Sequence, residues 1–426
     1  MTNRAVIVSG ARTPFMRAFT DLTRMDSIAL AGAAVRGLLD RTAISPAEIQ
    51  AIVWGGVVLP SAAPNIAREV ALDLKLDFGC EGYTVTRACA SGLQAVTSAA
   101  AAIERGEYDV MIAGGSDSTS NAEIKLPQKV VHAMAPIALG KPKPKDYFAA
   151  ARQLAPFVDL LPRQPKIAER TTGEVMGESA EKMARIHGVT RAEQDEFAAR
   201  SHHRAAAAIA SGRFDDEVVP IVTPDGKRIG RDGLVRADTS VEKLARLKPV
   251  FAADGTVTAG NASPLTDGAS AVLLMSEEKA RSLGCTPLAA FRSWSYVSVD
   301  PADQVLIGPA ISMPRALDKA GMTLADVDLV DIHEAFAAQT LSVLKALASH
   351  EWAKTRLDRD EAVGEVDIDK LNVHGGSVSL GHPFGATGAR MVTTMANELA
   401  RTGKNTALLG ICAAGGIGAS AVLERV

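Results

Sequence analysis

The chain of 426 residues predicts an α/β fold made of two similar halves. Three observations carry that expectation. The two ends of the chain share one helix–turn–strand grammar, the strand-like runs are apolar along their whole length, and a middle stretch breaks both patterns. Two repeats so far apart indicate a duplicated domain, since a solenoid needs several short copies. Strands without polar alternation are buried on both faces, as in a helix-covered, largely parallel sheet.

Taken in order, residues 4–14 read as a short apolar strand and a turn, not a signal peptide. No apolar run reaches the roughly 18 to 20 residues of a membrane span. Residues 37–40 (GLLD) and 44–54 (ISPAEIQAIVW) then read as helix end, capped turn and strand, and residues 316–331 (ALDKAGMTLADVDLVD) repeat them. A second pair follows in the same order: 91–96 (SGLQAV) through 106–115 (GEYDVMIAGG), against 387–392 (TGARMV) through 403–410 (GKNTALLG). The expected N-terminal half is residues 1–120 with 251–284, and the C-terminal half is 285–426.

Residues 121–250 form the inserted stretch, proline-rich at first (Pro136, Pro142, Pro144, Pro156, Pro162, Pro165) and then helical from Thr190 through Ala210. Its place between strand-rich parts suggests a lid or substrate-binding excursion. Within it, residues 147–161 are apolar enough to touch an acyl chain, a partner or, as peripheral membrane contact, a bilayer surface; a packed lid is the plainer expectation.

Composition excludes several classes. Hydrophobic residues make up 47% of the chain and the net charge is -3, which describes a soluble globular protein without a basic excess for nucleic acid or a polybasic membrane patch. The four cysteines, at 80, 89, 285 and 412, lack both a disulfide pattern and zinc-ligand spacing, so no structural metal and a reducing compartment are expected.

The best nucleophile candidate is Cys89. It opens a turn of small residues, Ala90, Ser91 and Gly92, between the strand-like run 83–86 and a helical pattern carried by Leu93, Val96, Ala100 and Ile103. At a helix start, unpaired N–H groups and the macrodipole are expected to depress a thiol pKa. A buried packing thiol is the alternative role. By the second repeat, Gly385 stands in the C-terminal copy where Cys89 stands in the N-terminal one. His382 thus precedes the equivalent turn, and twofold packing of the halves would bring the two turns face to face. His333 and Cys412 also follow strands, and Cys412 precedes the glycine-rich run 413–418. Each could serve packing alone; four such residues at strand ends of a duplicated fold point to a site.

These residues resemble a known family over nearly the whole chain. The runs CASGLQAV from Cys89, AGNASPLTDGAS from Ala259, HEAF from His333, GHPFGATGAR from Gly381 and CAAGGIG from Cys412 are similar to those of the thiolases, in the same order. Histidine opening HEAF, where many thiolases have asparagine, resembles the β subunits of fatty-acid oxidation complexes. The resemblance implies a layered α-β-α-β-α core with an inserted loop domain. It also implies thiolysis of 3-ketoacyl-CoA by CoA, without metal or redox cofactor.

By that resemblance Cys89 is the acyl carrier, His382 its base, Cys412 the acid/base for the departing enolate and His333 a donor to the thioester oxygen. The backbone N–H groups of Cys89 and Ala414 form the oxyanion hole. CoA contacts implied in the same way are Arg236, Lys243 and Phe251 in the segment beneath the nucleotide, Ser263 on the pantetheine arm and Met176 along its tunnel, with Ala259 and Phe336 as further substrate or CoA contacts. Glu334 is expected to orient backbone or His333, and His374 to border the site. Lys227, Arg228 and Arg231 make a candidate phosphate patch, and Cys80 and Cys285 are expected core thiols. A homodimer or homotetramer, with a hydratase/dehydrogenase α-subunit as a further partner, is implied. The expected location is cytoplasmic, or the mitochondrial matrix if a transit peptide has been removed. Two other readings remain at this point: a biosynthetic acetoacetyl-CoA thiolase, and a non-catalytic acyl-CoA or lipid carrier.

Overall fold

The computed structural model describes residues 4–124, 126–155 and 168–426. They form two compact units: residues 1–121 with 168–426, and Ala122–Ile167. Of the expected insertion, residues 168–250 therefore pack within the first unit.

In the N-terminal half the strands lie in the order Glu81–Val85, Ala51–Gly55, Val110–Ser118, Thr266–Ser276, Ala5–Arg12. The C-terminal half repeats it as Leu329–Ile332, Thr406–Ala413, Ile417–Arg425, Ala289–Ser298, and the two sets join where Val6 and Ile7 pair with Ala290 and Ala289. The counterpart of Glu81–Val85 is reduced to a single bridge between Val330 and Leu371. Beyond it Asn372 continues the edge with its side chain, accepting from Ile332 N–H at 2.8 Å and donating to the Ile332 carbonyl at 2.9 Å. One amide thus replaces a strand, and the chain is released toward residues 373–382.

Strand runs are apolar throughout because each face meets a different core. Met111 and Ala113 face a central cluster, whereas Val110 and Ile112 face the outer N-terminal one. In the C-terminal half, Ala407, Leu409 and Ile411 face the central cluster and Leu408 the outer one. Helices Ser91–Glu104 and Gly385–Thr402 fill the centre. Helices Ser27–Thr42 and Ile66–Asp73 cover one outer face, and Pro309–Ala320 and Ala337–Leu347 the other. The result is the layered α-β-α-β-α arrangement.

The expectation of a largely parallel sheet is corrected. Among the described strands, the pairs around Ala51–Gly55 and the pair Leu329–Ile332 with Thr406–Ala413 are parallel, and the other strand pairs are antiparallel. Thr406–Ala413 turns back through Ala414, Gly415 and Gly416, and so short a connection can only return antiparallel.

Residues 168–250 are fastened from below. Arg12, fully buried, makes a bidentate pair with Asp232 at 2.7 and 2.8 Å between the rings of Phe15 and Phe214. Glu398 joins His374 at 2.7 Å, Arg213 at 3.0 Å and Arg401 at 2.8 Å. Burial alone would raise the Glu398 pKa, but these donors outweigh it and hold the carboxyl down at about 2. A depressed folded pKa contributes stability that is present above the ordinary value and lost as pH falls toward the folded one. Unfolding midpoints are therefore expected to drop between about pH 4.5 and 2, and Glu398→Gln to flatten that fall.

The described residues of the second unit include a pair of helices, Gln128–Ala138 and Pro144–Leu154, with Val131, Met134, Tyr147 and Phe148 exposed. The apolar stretch read at 147–161 continues past residue 155 outside the described residues, as do Pro156, Pro162 and Pro165. No helix among the described residues is long and apolar enough to cross a membrane.

Candidate active site

Cys89 lies between the end of strand Glu81–Val85 and the helix that starts at Ser91. Ala88 before it adopts φ +46°, a left-handed conformation uncommon for a residue with a Cβ. The turn is locked by Ser91, whose hydroxyl accepts from Arg87 N–H at 2.7 Å and donates to the Ala88 carbonyl at 2.6 Å. The expected depression of the thiol pKa is not found. The N–H groups of Ala90 and Ser91 are already spent on Arg87 and Ala88 carbonyls. Burial pushes the thiol up to about 12, against the N–H groups of Ala414 and Cys89 that point at the sulfur, and nearby Asp117 adds to the rise.

The facing turn bears His382, held by its N–H to Thr266 Oγ1 at 3.0 Å and by Nδ1 against Thr387 Oγ1 at 2.6 Å. His333 follows strand Leu329–Ile332, with its N–H on the Gly410 carbonyl at 2.8 Å and Nδ1 against Ser377 Oγ at 2.8 Å. The two rings lie 4.1 Å apart between centroids, and each Nε2 is buried with no hydrogen-bond partner among the described residues. One ligand-capable atom from each of Cys89, His333 and His382 falls within 4.8 Å of the others. Burial, then the Arg390 charge, lowers the His382 pKa to about 3; burial, then His382 and Arg390, puts His333 well below its usual range. Cys412, at the end of strand Thr406–Ala413, is fully buried and pushed well up by burial and by Cys89. All four groups are thus neutral at neutral pH. Alkylation of Cys89 by iodoacetamide in the free enzyme is accordingly expected to keep rising about tenfold per pH unit beyond the ordinary thiol pKa of about 8.5. A plateau at or below that pH would contradict a raised pKa.

Several supports were not read from the sequence. Ser377 and Thr387 set the two imidazoles, although Thr387 lies inside a run already singled out. Glu169 accepts Gly415 N–H at 2.8 Å and so fixes the turn that carries Ala414. Asp117, in a strand buried on both faces, accepts N–H bonds from Val57 at 3.0 Å, Val58 at 2.6 Å and Gly385 at 2.7 Å, tying the loop after strand Ala51–Gly55 to the turn at Gly385. A carboxylate in such a strand is itself a signal, since buried charge needs partners. Glu334 does orient backbone: it takes Val378 N–H at 3.1 Å, Ser201 Oγ at 2.7 Å and Asn372 Nδ2 at 2.7 Å, which seats the short helix Ser377–Leu380 beneath His333. His374 belongs to the Glu398 cluster.

The residues expected around CoA divide. Ser263 donates to the Ala335 carbonyl at 2.9 Å, Phe251 meets Phe336 edge to face at 6.0 Å, and Met176 and Phe336 both pack against the outer C-terminal cluster. Ala259 and Arg236 are exposed, and Arg236 bonds His202 Nδ1 through its backbone N–H at 3.1 Å. Lys243 is paired with Asp238 at 2.7 Å and Lys227 with Asp21, so neither charge is free. Arg228 and Arg231 are exposed. Cys80 is in the core as expected, whereas Cys285 is only partly covered because it sits in a surface turn after helix Glu277–Ser282.

Comparison with known proteins gives a consistent result. The family model for the thiolase N-terminal domain matches residues 5–278, and that for the thiolase C-terminal domain matches 285–425. A 3-ketoacyl-CoA thiolase of Pectobacterium atrosepticum is 47% identical over 99% of this chain and 97% of its own. One of Vibrio cholerae is 44% identical over 99% and 97%. Among solved structures, human mitochondrial 3-ketoacyl-CoA thiolase superposes with a TM-score of 0.85 at 30% identity, covering 100% of this chain and 99% of that one. An acetyl-CoA acetyltransferase of Bacillus anthracis gives 0.84 at 34%, with coverage of 100% and 99%.

Proposed function

The chain belongs to the thiolase family, and from that premise we propose that it cleaves 3-ketoacyl-CoA with CoA, in the degradative direction, to acetyl-CoA and a shortened acyl-CoA. The observation that carries the reading is the convergence of the Cys89 thiol with two neutral imidazoles whose buried Nε2 atoms have no partner among the described residues, beside N–H groups aimed at the sulfur.

Cys89 sulfur attacks the 3-keto carbon while its proton passes to His382 Nε2. Because thiol and imidazole are both strongly biased to neutrality, proton transfer accompanies carbon–sulfur bond formation, and the negative charge goes to the oxyanion. The N–H groups of Cys89 and Ala414 receive it. Collapse breaks the C2–C3 bond, and the Cys412 thiol protonates the expelled enolate at carbon. The resulting Cys412 thiolate takes the proton of incoming CoA, whose sulfur attacks the acyl thioester. His382, with His333, donates to the thioester oxygen, and Cys89 leaves as the thiol. The Cys89 proton returns to it through His382, and the CoA proton replaces the one that Cys412 gives the enolate, so the protons balance over the cycle.

CoA and acyl-CoA are bound along the flank formed by Met176, Phe251, Ser263 and Phe336, with Arg236 and Lys243 toward the nucleotide; Lys243 must then exchange Asp238 for phosphate. The protein acts in the cytoplasm as at least a homodimer. A carrier without turnover has no use for the acid/base Cys412. Acetoacetyl-CoA and a long-chain 3-ketoacyl-CoA, each assayed with CoA, test the reading: cleavage of the long chain supports it, cleavage of acetoacetyl-CoA alone supports the biosynthetic alternative, and cleavage of neither by pure protein or with a hydratase/dehydrogenase partner refutes it. Cleavage only with that partner supports an obligate complex. His333 reaches further into the pocket than asparagine would, so His333→Asn is expected to lower kcat/KM for the long chain by about tenfold more than for acetoacetyl-CoA; an unchanged ratio would count against that role.

A further inference from the structure

We propose that Cys89, His333 and His382 form a binding site for a divalent cation of the zinc class, and that its occupancy closes the enzyme to substrate. The three residues come from separate parts of the chain, yet their ligand-capable atoms lie within 4.8 Å of one another. Tetrahedral zinc, at about 2.0–2.1 Å from nitrogen and 2.3 Å from sulfur, needs ligand atoms about 3.3–3.6 Å apart, so the widest separation must close by about an ångström.

The imidazoles are prepared for it. Each Nδ1 rests on a hydroxyl, Ser377 for His333 and Thr387 for His382. With Nδ1–H donated there, Nε2 presents its lone pair, the arrangement that orients histidine on metals. Both Nε2 atoms are buried and otherwise without a partner among the described residues, so a ligand at this point satisfies two polar atoms at once. The Arg390 charge opposes a cation here, as it opposes protonation of both imidazoles, but it is paired with Asp331 at 3.0 Å, and the Asp117 carboxyl stands near Cys89.

Two nitrogens and one sulfur select zinc-like ions over magnesium or calcium, and three protein ligands leave one position for water. Binding replaces the S–H bond of Cys89 by a sulfur–metal bond and releases one proton, with no change of oxidation state. The sulfur lone pair and both Nε2 atoms are then occupied, so nucleophile and base are withdrawn together. Metal binding depends only on the three side chains; its inhibitory effect rests on the thiolysis reading.

The test uses the full chain, stripped with a chelator and desalted, then titrated with Zn2+ by calorimetry and with Co2+ by absorbance. One ion per chain, about one proton released per ion, and a thiolate-to-cobalt charge-transfer band are expected. Cys89→Ala is expected to abolish that band, and His333→Asn to weaken Zn2+ binding at least about tenfold. The unsubstituted protein supplies a measurement free of folding effects: Zn2+ is expected to slow alkylation of Cys89 at least about tenfold. No saturable binding, a charge-transfer band that persists in Cys89→Ala, or alkylation indifferent to Zn2+ would overturn the site. A chain that cleaves 3-ketoacyl-CoA but ignores Zn2+ refutes the metal site alone, whereas one that binds Zn2+ but cleaves nothing refutes the enzymatic reading and leaves the site standing.

Discussion

Cys89→Ala is expected to lower kcat for thiolysis by about 10⁴-fold or more, with no acyl adduct detectable by mass spectrometry after exposure to 3-ketoacyl-CoA. The size follows from what is lost. The substitution removes the atom that carries the acyl group between two CoA molecules, and neither imidazole can move into its place, since each is fixed through Nδ1 on Ser377 or Thr387. Stability is expected to change little, by about 1 kcal/mol, because the residue is partly exposed and only borders the central cluster. Residues that act as one unit are not additive, so adding His382→Ala is expected to cost almost nothing further. An acyl adduct on the Cys89→Ala protein would remove Cys89 from the centre of the mechanism.

Much of this site was legible because its parts are local. The repeat exposes the turn at Gly385 as the counterpart of that at Cys89, and the central packing of helices Ser91–Glu104 and Gly385–Thr402 brings the two together. Strand direction was less accessible: an apolar run reads alike in either sense, and only the short turn at 414–416 settles the last pair. The protonation of Cys89 is hidden from the sequence for a related reason. A helix start is visible in sequence, but burial of the sulfur is a tertiary fact, and the Ala90 and Ser91 N–H groups are taken by the Arg87 and Ala88 carbonyls three residues back, in a turn whose geometry the sequence does not specify. Ser377, Glu169 and Asp117 act on residues between 44 and 268 positions distant, so their roles have no local pattern.

Gly92→Ala is expected to destabilise the protein by about 3 kcal/mol and to lower kcat/KM by about 10²-fold, although alanine is the better helix former. A Cβ at Gly92 would overlap the Gly385 carbonyl oxygen and lie 2.9 Å from Ala389 N, both backbone atoms of the facing helix. No rotamer change can relieve that contact, so the helices must part. His382 stands three residues before Gly385, and Cys89 three before Gly92, so separation of the helices pulls base and nucleophile apart. Gly32→Ala supplies the opposite sign within the same fold. Gly32 lies inside helix Ser27–Thr42, a Cβ there meets nothing within 4 Å, and the substitution is expected to stabilise by about 0.5–1 kcal/mol through helix propensity and a less flexible unfolded chain. Unfolding midpoints and thiolysis rates measured on both variants separate close packing from propensity. If Gly92→Ala were as stable and active as the unsubstituted chain, the backbone contact between the two central helices would not be what sets the distance from His382 to Cys89.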